Sequence, residues 1–530
     1  MKNPIATKIF GLVNLFLCFC FFFPLMNANA ANRQAGKRKV TRIVKDTTKP
    51  VINVPVTEQE TSENLILLEK DNKSLLRNPC MGWGLYDDAA DEVQDAGKYW
   101  KCQSDAATRY ASFFYVRWRW ADMEPEEGKY AWIYDNNYKQ LIKGALDRGL
   151  KLAFRIYYDS RDNYSQATPD YVRQAGAEGF YKDGKWSPYP DNPVFQQKLN
   201  VFLKAFAAEY DNPDIVDFID GYNIGLWGEG HNLMLQGGTS SANKERTLNQ
   251  ITDLYATNFK RIHLVITFGS EVGYPAEKKY VLEPKGYGMR RDGLGSRWFN
   301  EEEKKIAQAS YGKRLLVGES CYWYNGREDI AKHADFKPWQ GDPVYNAGTT
   351  WRDVYELTCE EAIHNHFNTL DLREIGEAEG WLTEAPDLVQ KFILRGGYRF
   401  FPSRIELPLK AKAGTTIKAI HHWTNDGTGY LPNNMVNWNY KYKPAFALIN
   451  KNNEIVKIWI DEDAEPSTWL YGNNYTYEKT IRLTELEPGE YQWAIAIIDK
   501  TRNNKPGIKL AIKNEKRVKG WSILRHIAIE

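Results

Sequence analysis

Between about residue 65 and residue 395 the chain alternates two patterns. Short apolar runs, suited to strands buried on both faces, are separated by stretches whose apolar residues recur every three or four positions. The strand runs are Met81 to Tyr86, Ser112 to Trp120, Lys151 to Tyr158, Val216 to Trp227, Ile262 to Gly269, a weak one from Gly286 to Asp292, Arg314 to Gly318, and Phe367 to Leu372. Helical spacing marks Tyr138 to Leu150, Pro193 to Tyr210, Arg246 to Phe259, Glu301 to Ala309 and Trp351 to Ile363. Eight strands alternating with helices predict an α/β fold, a (β/α)8 TIM barrel over residues 66–395. An open doubly wound sheet would bring a Gly-rich nucleotide loop after its first strand, and Trp83 to Asp88 offers none.

After Arg395 the period changes. Short alternating runs follow at close spacing: Ile405 to Leu409, Thr416 to Ile420, Ala445 to Ile449, Ile455 to Ile460, Lys479 to Leu483 and Tyr491 to Ile497. Turn signals such as Asn425 to Gly427 and Pro488-Gly489 separate them. They predict an all-β sandwich over residues 396–530.

The first 30 residues have the form of a secretion signal: Lys2 and Lys8, an apolar run from Ile9 to Met26, and a small-x-small site at Ala28 to Ala30. A membrane anchor is the rival; Pro24 and the polar residues that follow favour cleavage. Leu17 and Phe19 precede Cys18 and Cys20, where a lipid-anchored protein would have a small residue. The expectation is an exported protein, periplasmic or extracellular, with no membrane insertion once the signal is removed. Residues 31–65 are polar, then rich in Thr, Val and Pro, and read as a linker. Four cysteines then remain, Cys80, Cys102, Cys321 and Cys359, too few for a disulfide scaffold. Cys80 and Cys102 are the closest pair.

Composition narrows the partner. Net charge is +2, which speaks against nucleic acid and anionic membranes, since both select a basic excess. Aromatic content is 14%, with 18 Trp and 32 Tyr, and aromatic faces stack on sugar rings, although most of these residues serve a large core. The expected partner is therefore a carbohydrate substrate.

Active groups of a barrel sit at the C-terminal ends of its strands. Glu229 stands after the fourth strand in a Gly-rich mouth, and Glu319 after the seventh. Two carboxylates so placed can cleave a glycosidic bond, one as acid/base and one as nucleophile. A glutamate after a strand can also be a helix cap. Glu271, after the fifth strand, is a rival for Glu319 but is worse placed. Arg117 and Arg119 alternate on the second strand and would point inward, to hold a carboxylate charged or to pair with Glu124 or Asp122. Arg155 on the third strand has the same two readings. Trp227, Tyr322, Trp323 and Trp381 lie beside strand ends, where each can be sugar platform or core. The candidate substrate-binding residues are Arg117, Arg119, Arg155, Asn223, Trp227, His231, Tyr322 and Trp323. A zinc site using His231, His364 and His366 is a further reading, but no short ligand spacing links them, and neither metal nor other cofactor is expected.

The segment from Val116 to Trp132 resembles the second-strand region of clan A glycoside hydrolases, most nearly the bacterial β-galactosidase type. Trp120, the Glu-Pro-x-x-Gly run Glu124 to Gly128, Tyr130 and the Gly149-Leu150-Lys151 entry to the third strand follow that order. The resemblance implies a retaining hydrolase with its acid/base after strand four and its nucleophile after strand seven, where Glu229 and Glu319 stand. The whole chain also resembles exported bacterial proteins that pair such a barrel with a C-terminal sandwich, which implies polysaccharide processing. The clan places Asn directly before the acid/base; here Gly228 is there, and the nearest Asn is Asn223. A barrel that binds glycans without cleaving them is the alternative that Gly228 raises.

Overall fold

A computed structural model describes residues 63–86, 94–103, 105–161, 165–321, 350–372 and 375–530. The segments expected as signal and, for the most part, as linker fall outside these residues. Eight parallel strands close into a barrel: β1 Gly82–Tyr86, β2 Ala111–Arg119, β3 Lys151–Tyr157, β4 Val216–Asp220, β5 His263–Thr267, β6 Gly288–Leu294, β7 Leu316–Ser320 and β8 Thr369–Leu372. β8 pairs back onto β1, Thr369 opposite Gly82. The expected TIM barrel is therefore present with all eight strands.

Its strands are apolar on both faces because both are covered. On β2, Phe114, Val116 and Trp118 pack among the outer helices, while Phe113 and Tyr115 belong to the inner cluster. The helix Pro193–Tyr210 shows how the outer layer is made. Asn192 caps it by accepting from the Val194 and Phe195 amides, Pro193 supplies the first turn, and Phe195, Leu199, Phe202 and Phe206 form its buried stripe. Glu301–Ser310 begins with a capping box between Asn300 and Glu303.

Several strand bounds shift by one or two residues from the sequence expectation, and two of the differences bear on the candidate site. The fourth does not run on to Trp227 but stops at Asp220. Gly225, Trp227, Gly228 and Gly230 all have positive φ, which no ladder accommodates, so the apolar residues after Asp220 form a compact loop instead. The seventh strand begins two residues later than expected, and Glu319 lies within it rather than after it.

The C-terminal region forms two mostly antiparallel sheets. One runs Leu65–Leu67, Phe400–Glu406, Thr416–Asn425, Asn474–Arg482; the other runs Lys410–Ala411, Trp521–Ile529, Gly489–Asp499, Tyr442–Asn450, Ile455–Ile460. Leu65–Leu67 thus belongs to the sandwich although it precedes the barrel in sequence. The sandwich also closes the N-terminal end of the barrel. Phe113, Phe218, Val265 and Val317 from inside the barrel share one buried cluster with Tyr398, Met435, Trp438 and Tyr442. The Trp438 ring sits 4.2 Å from that of His263. Cys80 and Cys102 are not bridged to each other. Among the described residues no helix is long and apolar enough to cross a membrane.

Candidate active site at the barrel mouth

Alternation along the strands decides what faces the barrel axis. Phe113, Ala153, Phe218 and Val317 fill the lower interior. Two residues further along each strand come Tyr115, Arg155, Asp220 and Glu319, and Arg290 joins them from β6. One layer above an apolar floor, the barrel becomes charged.

These charges alternate in sign. Arg155 donates through Nη1 to Glu229 Oε1 at 2.7 Å and through Nε to Asp220 Oδ2 at 2.6 Å. Asp220 Oδ2 also accepts from the Tyr115 hydroxyl at 2.6 Å and lies 3.7 Å from Arg290 Nε. Arg290 Nη2 in turn donates to Glu319 Oε2 and, at 2.7 Å, to the Tyr86 hydroxyl, which itself donates to Glu319 Oε2 at 3.0 Å. The two candidate catalytic carboxylates are thus the ends of one chain, Glu229–Arg155–Asp220–Arg290–Glu319. All five residues are less than 10% exposed. Burial opposes both guanidinium charges, but the acidic groups around them, Tyr115 foremost and Asp220 among the rest, outweigh it and push both arginines above their ordinary range. Burial pushes the Tyr115 hydroxyl well up, so it remains a donor to Asp220.

Glu229 reaches this layer because the loop after β4 folds back. Gly225 has no room for a side chain, since a Cβ would meet the His231 carbonyl at 2.5 Å. Trp227 holds φ of 59°, a strained value for a bulky residue. Its carbonyl accepts from Arg155 Nη1 at 3.2 Å and Arg117 Nη2 at 3.3 Å, which pins the loop to the barrel wall. The half-buried Trp227 indole meets His231 edge-on at 6.1 Å. Asp292, at the far end of β6, pairs with Arg291, and Arg291, His231 and Arg290 outweigh burial to hold its carboxyl below the usual range.

The other candidates sort as follows. Arg155 lies inside the barrel on Asp220 and Glu229. Arg117 stacks over Tyr157 at 4.8 Å and supports the Trp227 carbonyl. Arg119 is taken by Asp122 in a two-pronged pair at 2.5 and 2.9 Å, because β2 ends there and the chain turns into a short helix. Among the described residues the arginine paired with Glu319 is Arg290. Asn223 is turned away from the mouth: its amide donates to the Asp220 carbonyl at 2.7 Å and to the Tyr255 hydroxyl at 3.1 Å. Glu271 pairs with Lys244 and accepts from the Leu233 amide, which makes it a brace for the loop. Trp381 is fully buried against Trp83 and Tyr355 and is core. Tyr322 and Trp323 lie outside the described residues. His366 stacks on Tyr311 and bonds the Thr428 carbonyl, at the sandwich junction rather than near His231. Glu124, central to the resembling segment, is fully buried and accepts from the Trp120 indole, the Tyr171 hydroxyl and the Gly128 amide, so that segment braces the barrel wall.

The sequence reading missed Asp220, Arg290, Tyr86 and Tyr115. Asp220 and Arg290 did carry a signal, charged residues within strands buried on both faces.

No family model matches the chain, and no curated protein matches it. Similar solved structures include a glycoside hydrolase family 5 enzyme from Prevotella bryantii B14 in complex with a xyloglucan tetradecasaccharide, at 12% identity over 62% of this chain and 99% of that one, TM-score 0.36. Another is endo-glycoceramidase II from Rhodococcus sp., at 13% identity over 78% and 99%, TM-score 0.38. A third is an endo-1,4-beta-xylanase from Caldicellulosiruptor owensensis, at 11% identity over 56% and 87%, TM-score 0.33. This chain's own strand order makes it a closed parallel barrel whose mouth holds two buried glutamates joined by two arginines and an aspartate.

Proposed function

We propose that this protein is an exported, retaining glycoside hydrolase acting on a poly- or oligosaccharide. The supporting observation is the placement of Glu229 and Glu319 at opposite ends of one charged layer in the barrel mouth. Glu319 is the nucleophile. Arg290 and Tyr86 both donate to its Oε2, which stabilises the carboxylate form that attack requires. Glu229 is the acid/base. Its Oε1 is held by Arg155, while Oε2 receives no hydrogen bond from the described residues and is the oxygen that can carry a proton.

In the first step Glu229 protonates the leaving oxygen as Glu319 attacks the anomeric carbon, and the glycosidic bond breaks to give a glycosyl–enzyme ester. In the second, Glu229 takes a proton from water, the water oxygen bonds to the anomeric carbon, and Glu319 leaves as carboxylate. Trp227 offers an aromatic face to the sugar.

The test is hydrolysis of a glycan panel by wild type, Glu229→Ala and Glu319→Ala. Each change is expected to lower turnover by roughly 100-fold or more, with azide restoring turnover of an activated glycoside in Glu229→Ala as a glycosyl azide of retained configuration. Full activity in both variants overturns the assignment. A second reading, a barrel that binds glycans without cleaving them, is favoured by Gly228 in place of the expected Asn. Glycan binding without turnover by the wild type selects it.

A further inference from the structure

We infer that Asp220 is the positioning residue that separates the tasks of the two glutamates, by drawing Arg155 away from Glu229 and sharing Arg290 with Glu319. The inference rests on the hydrolase reading above. An arginine bonded to a carboxylate favours its charged form, which suits a nucleophile and hinders an acid. Glu319 has Arg290 and a tyrosine donor; Glu229 has Arg155, and without a competing anion would be held as firmly in the wrong state for proton donation.

Asp220 supplies that competition. Its Oδ2 is 2.6 Å from Arg155 Nε, as close as Glu229 is to Nη1, and the Tyr115 hydroxyl fixes the same oxygen. Among the described residues of this layer three carboxylates share two guanidiniums, so one carboxyl can hold a proton without leaving either arginine unmatched. Glu229 is the member with an oxygen that no described residue reaches. The short loop after β4 keeps this geometry: Asn223 Nδ2 donates to the Asp220 carbonyl at 2.7 Å, and a Cβ at Gly221 would lie 2.6 Å from the Tyr287 ring, which fixes the chain where β4 ends.

The titratable surroundings of Asp220 are drawn from every neighbouring element. β1 and β2 bring Tyr86 and Tyr115, and Arg117 lies above them on β2. β3 brings Arg155, β6 brings Arg290 and Asp292, and β7 brings Glu319. The mouth loop contributes Glu229 and His231, and helix Ser241–Asn258 contributes Tyr255. Of these, the two arginines alone form ion pairs with Asp220 in the structure.

The test is the pH profile of kcat/KM for a phenyl glycoside of whichever sugar the panel selects, a leaving group poor enough to need the proton. Asp220→Asn is expected to move the alkaline limb about one pH unit toward acid, because Glu229 then faces Arg155 alone and gives up its proton more readily. Asp220→Glu is expected to restore most of that shift. A folded Asp220→Asn enzyme with an unmoved alkaline limb, whatever its rate, overturns the inference. If Asp220→Asn does not fold, Arg155→Met is compared with the charge-neutral double change Arg155→Met plus Asp220→Asn. The alkaline limb of the double variant should coincide with that of Arg155→Met, because no guanidinium is left for Asp220 to draw away, and a limb about one unit lower overturns the inference, because Asp220 then acts on Glu229 without Arg155. Failure of the hydrolase reading looks different, because Glu229→Ala and Glu319→Ala then keep full activity.

Discussion

The two ends of this barrel handle buried charge in opposite ways. At the C-terminal mouth five charged side chains alternate in sign, and each arginine is held charged by the acids around it. At the N-terminal end, under the sandwich, burial dominates. The Asp217 carboxyl is pushed up to about 6, the Cys80 thiol is pushed well up, and the His263 imidazole is pushed well down. Each shift there is toward the neutral form, which is what an apolar plug imposes on groups without a close counter-charge. The mouth maintains charge, and the base suppresses it.

Breaking the mouth should have the largest effect. Arg290→Met leaves Glu319 without its guanidinium and Asp220 with one arginine instead of two. Removing one partner from a buried ion pair costs about 3–5 kcal/mol. The expected outcome is a clear fall in melting temperature and a rise in the acid limb of the pH–rate profile, because Glu319 now holds its proton to higher pH. A profile with an unmoved acid limb would detach Arg290 from the nucleophile.

Breaking the base should cost stability and leave chemistry alone. Trp438 is buried against His263 and Tyr442. Trp438→Ala should destabilise by about 3–5 kcal/mol, read from denaturant midpoints, with kcat/KM unchanged at temperatures where the variant is folded. An equal loss of kcat/KM would mean that the plug shapes the mouth.

A smaller change separates the two ends by sign. The Asp217 carboxyl rises from 3.8 to about 6 on folding, so the folded protein binds that proton more tightly than the unfolded chain. Stability from this group is greatest below 3.8, falls as pH climbs toward 6 and is level above. Asp217→Asn, which still offers an oxygen to the Cys80 amide, should remove that fall and stabilise the protein near neutrality by about 1–3 kcal/mol. His263 works the other way, its depressed imidazole costing stability below about 6.5, so the test is the difference between variant and wild-type stability curves across pH 4 to 7.

The same contrast explains what could be read from the sequence. The barrel was legible because strands buried on both faces, such as Phe113 to Trp118, and capped amphipathic helices, such as Pro193–Tyr210, carry their environment in their residue pattern. Glu229 and Glu319 were legible as carboxylates near strand ends. Their connection was not. Arg290 lies in the weakest of the eight strand signals, and Asp220 falls in the middle of the strand that the pattern predicts, whereas it ends β4. Arg119 illustrates the reverse error: its spacing from Arg117 suggested an inward pair, but the chain turns at Trp120 and Asp122 claims it. Strand ends, which decide where a side chain points, are set here by glycine conformations and by pairing across the barrel.

Gly228 is where the resemblance and the structure disagree most usefully. Its φ is +70°, and a Cβ would lie 3.3 Å from Tyr157 Cβ and 3.5 Å from Arg155 Cδ. Two costs therefore bear on a replacement, the left-handed backbone and the tight approach. Asn tolerates the left-handed region better than Ala, whereas both present the same Cβ. If backbone conformation governs, Gly228→Ala should destabilise by about 1 kcal/mol and Gly228→Asn by less. If the approach to Tyr157 and Arg155 governs, the two variants should lose equally in stability, and both should lower kcat/KM because Arg155 is displaced from Glu229. The first outcome would make Gly228 a local solution to loop geometry, one that the Asn of related barrels could replace. The second would make it part of the means by which Arg155 is placed between Asp220 and Glu229.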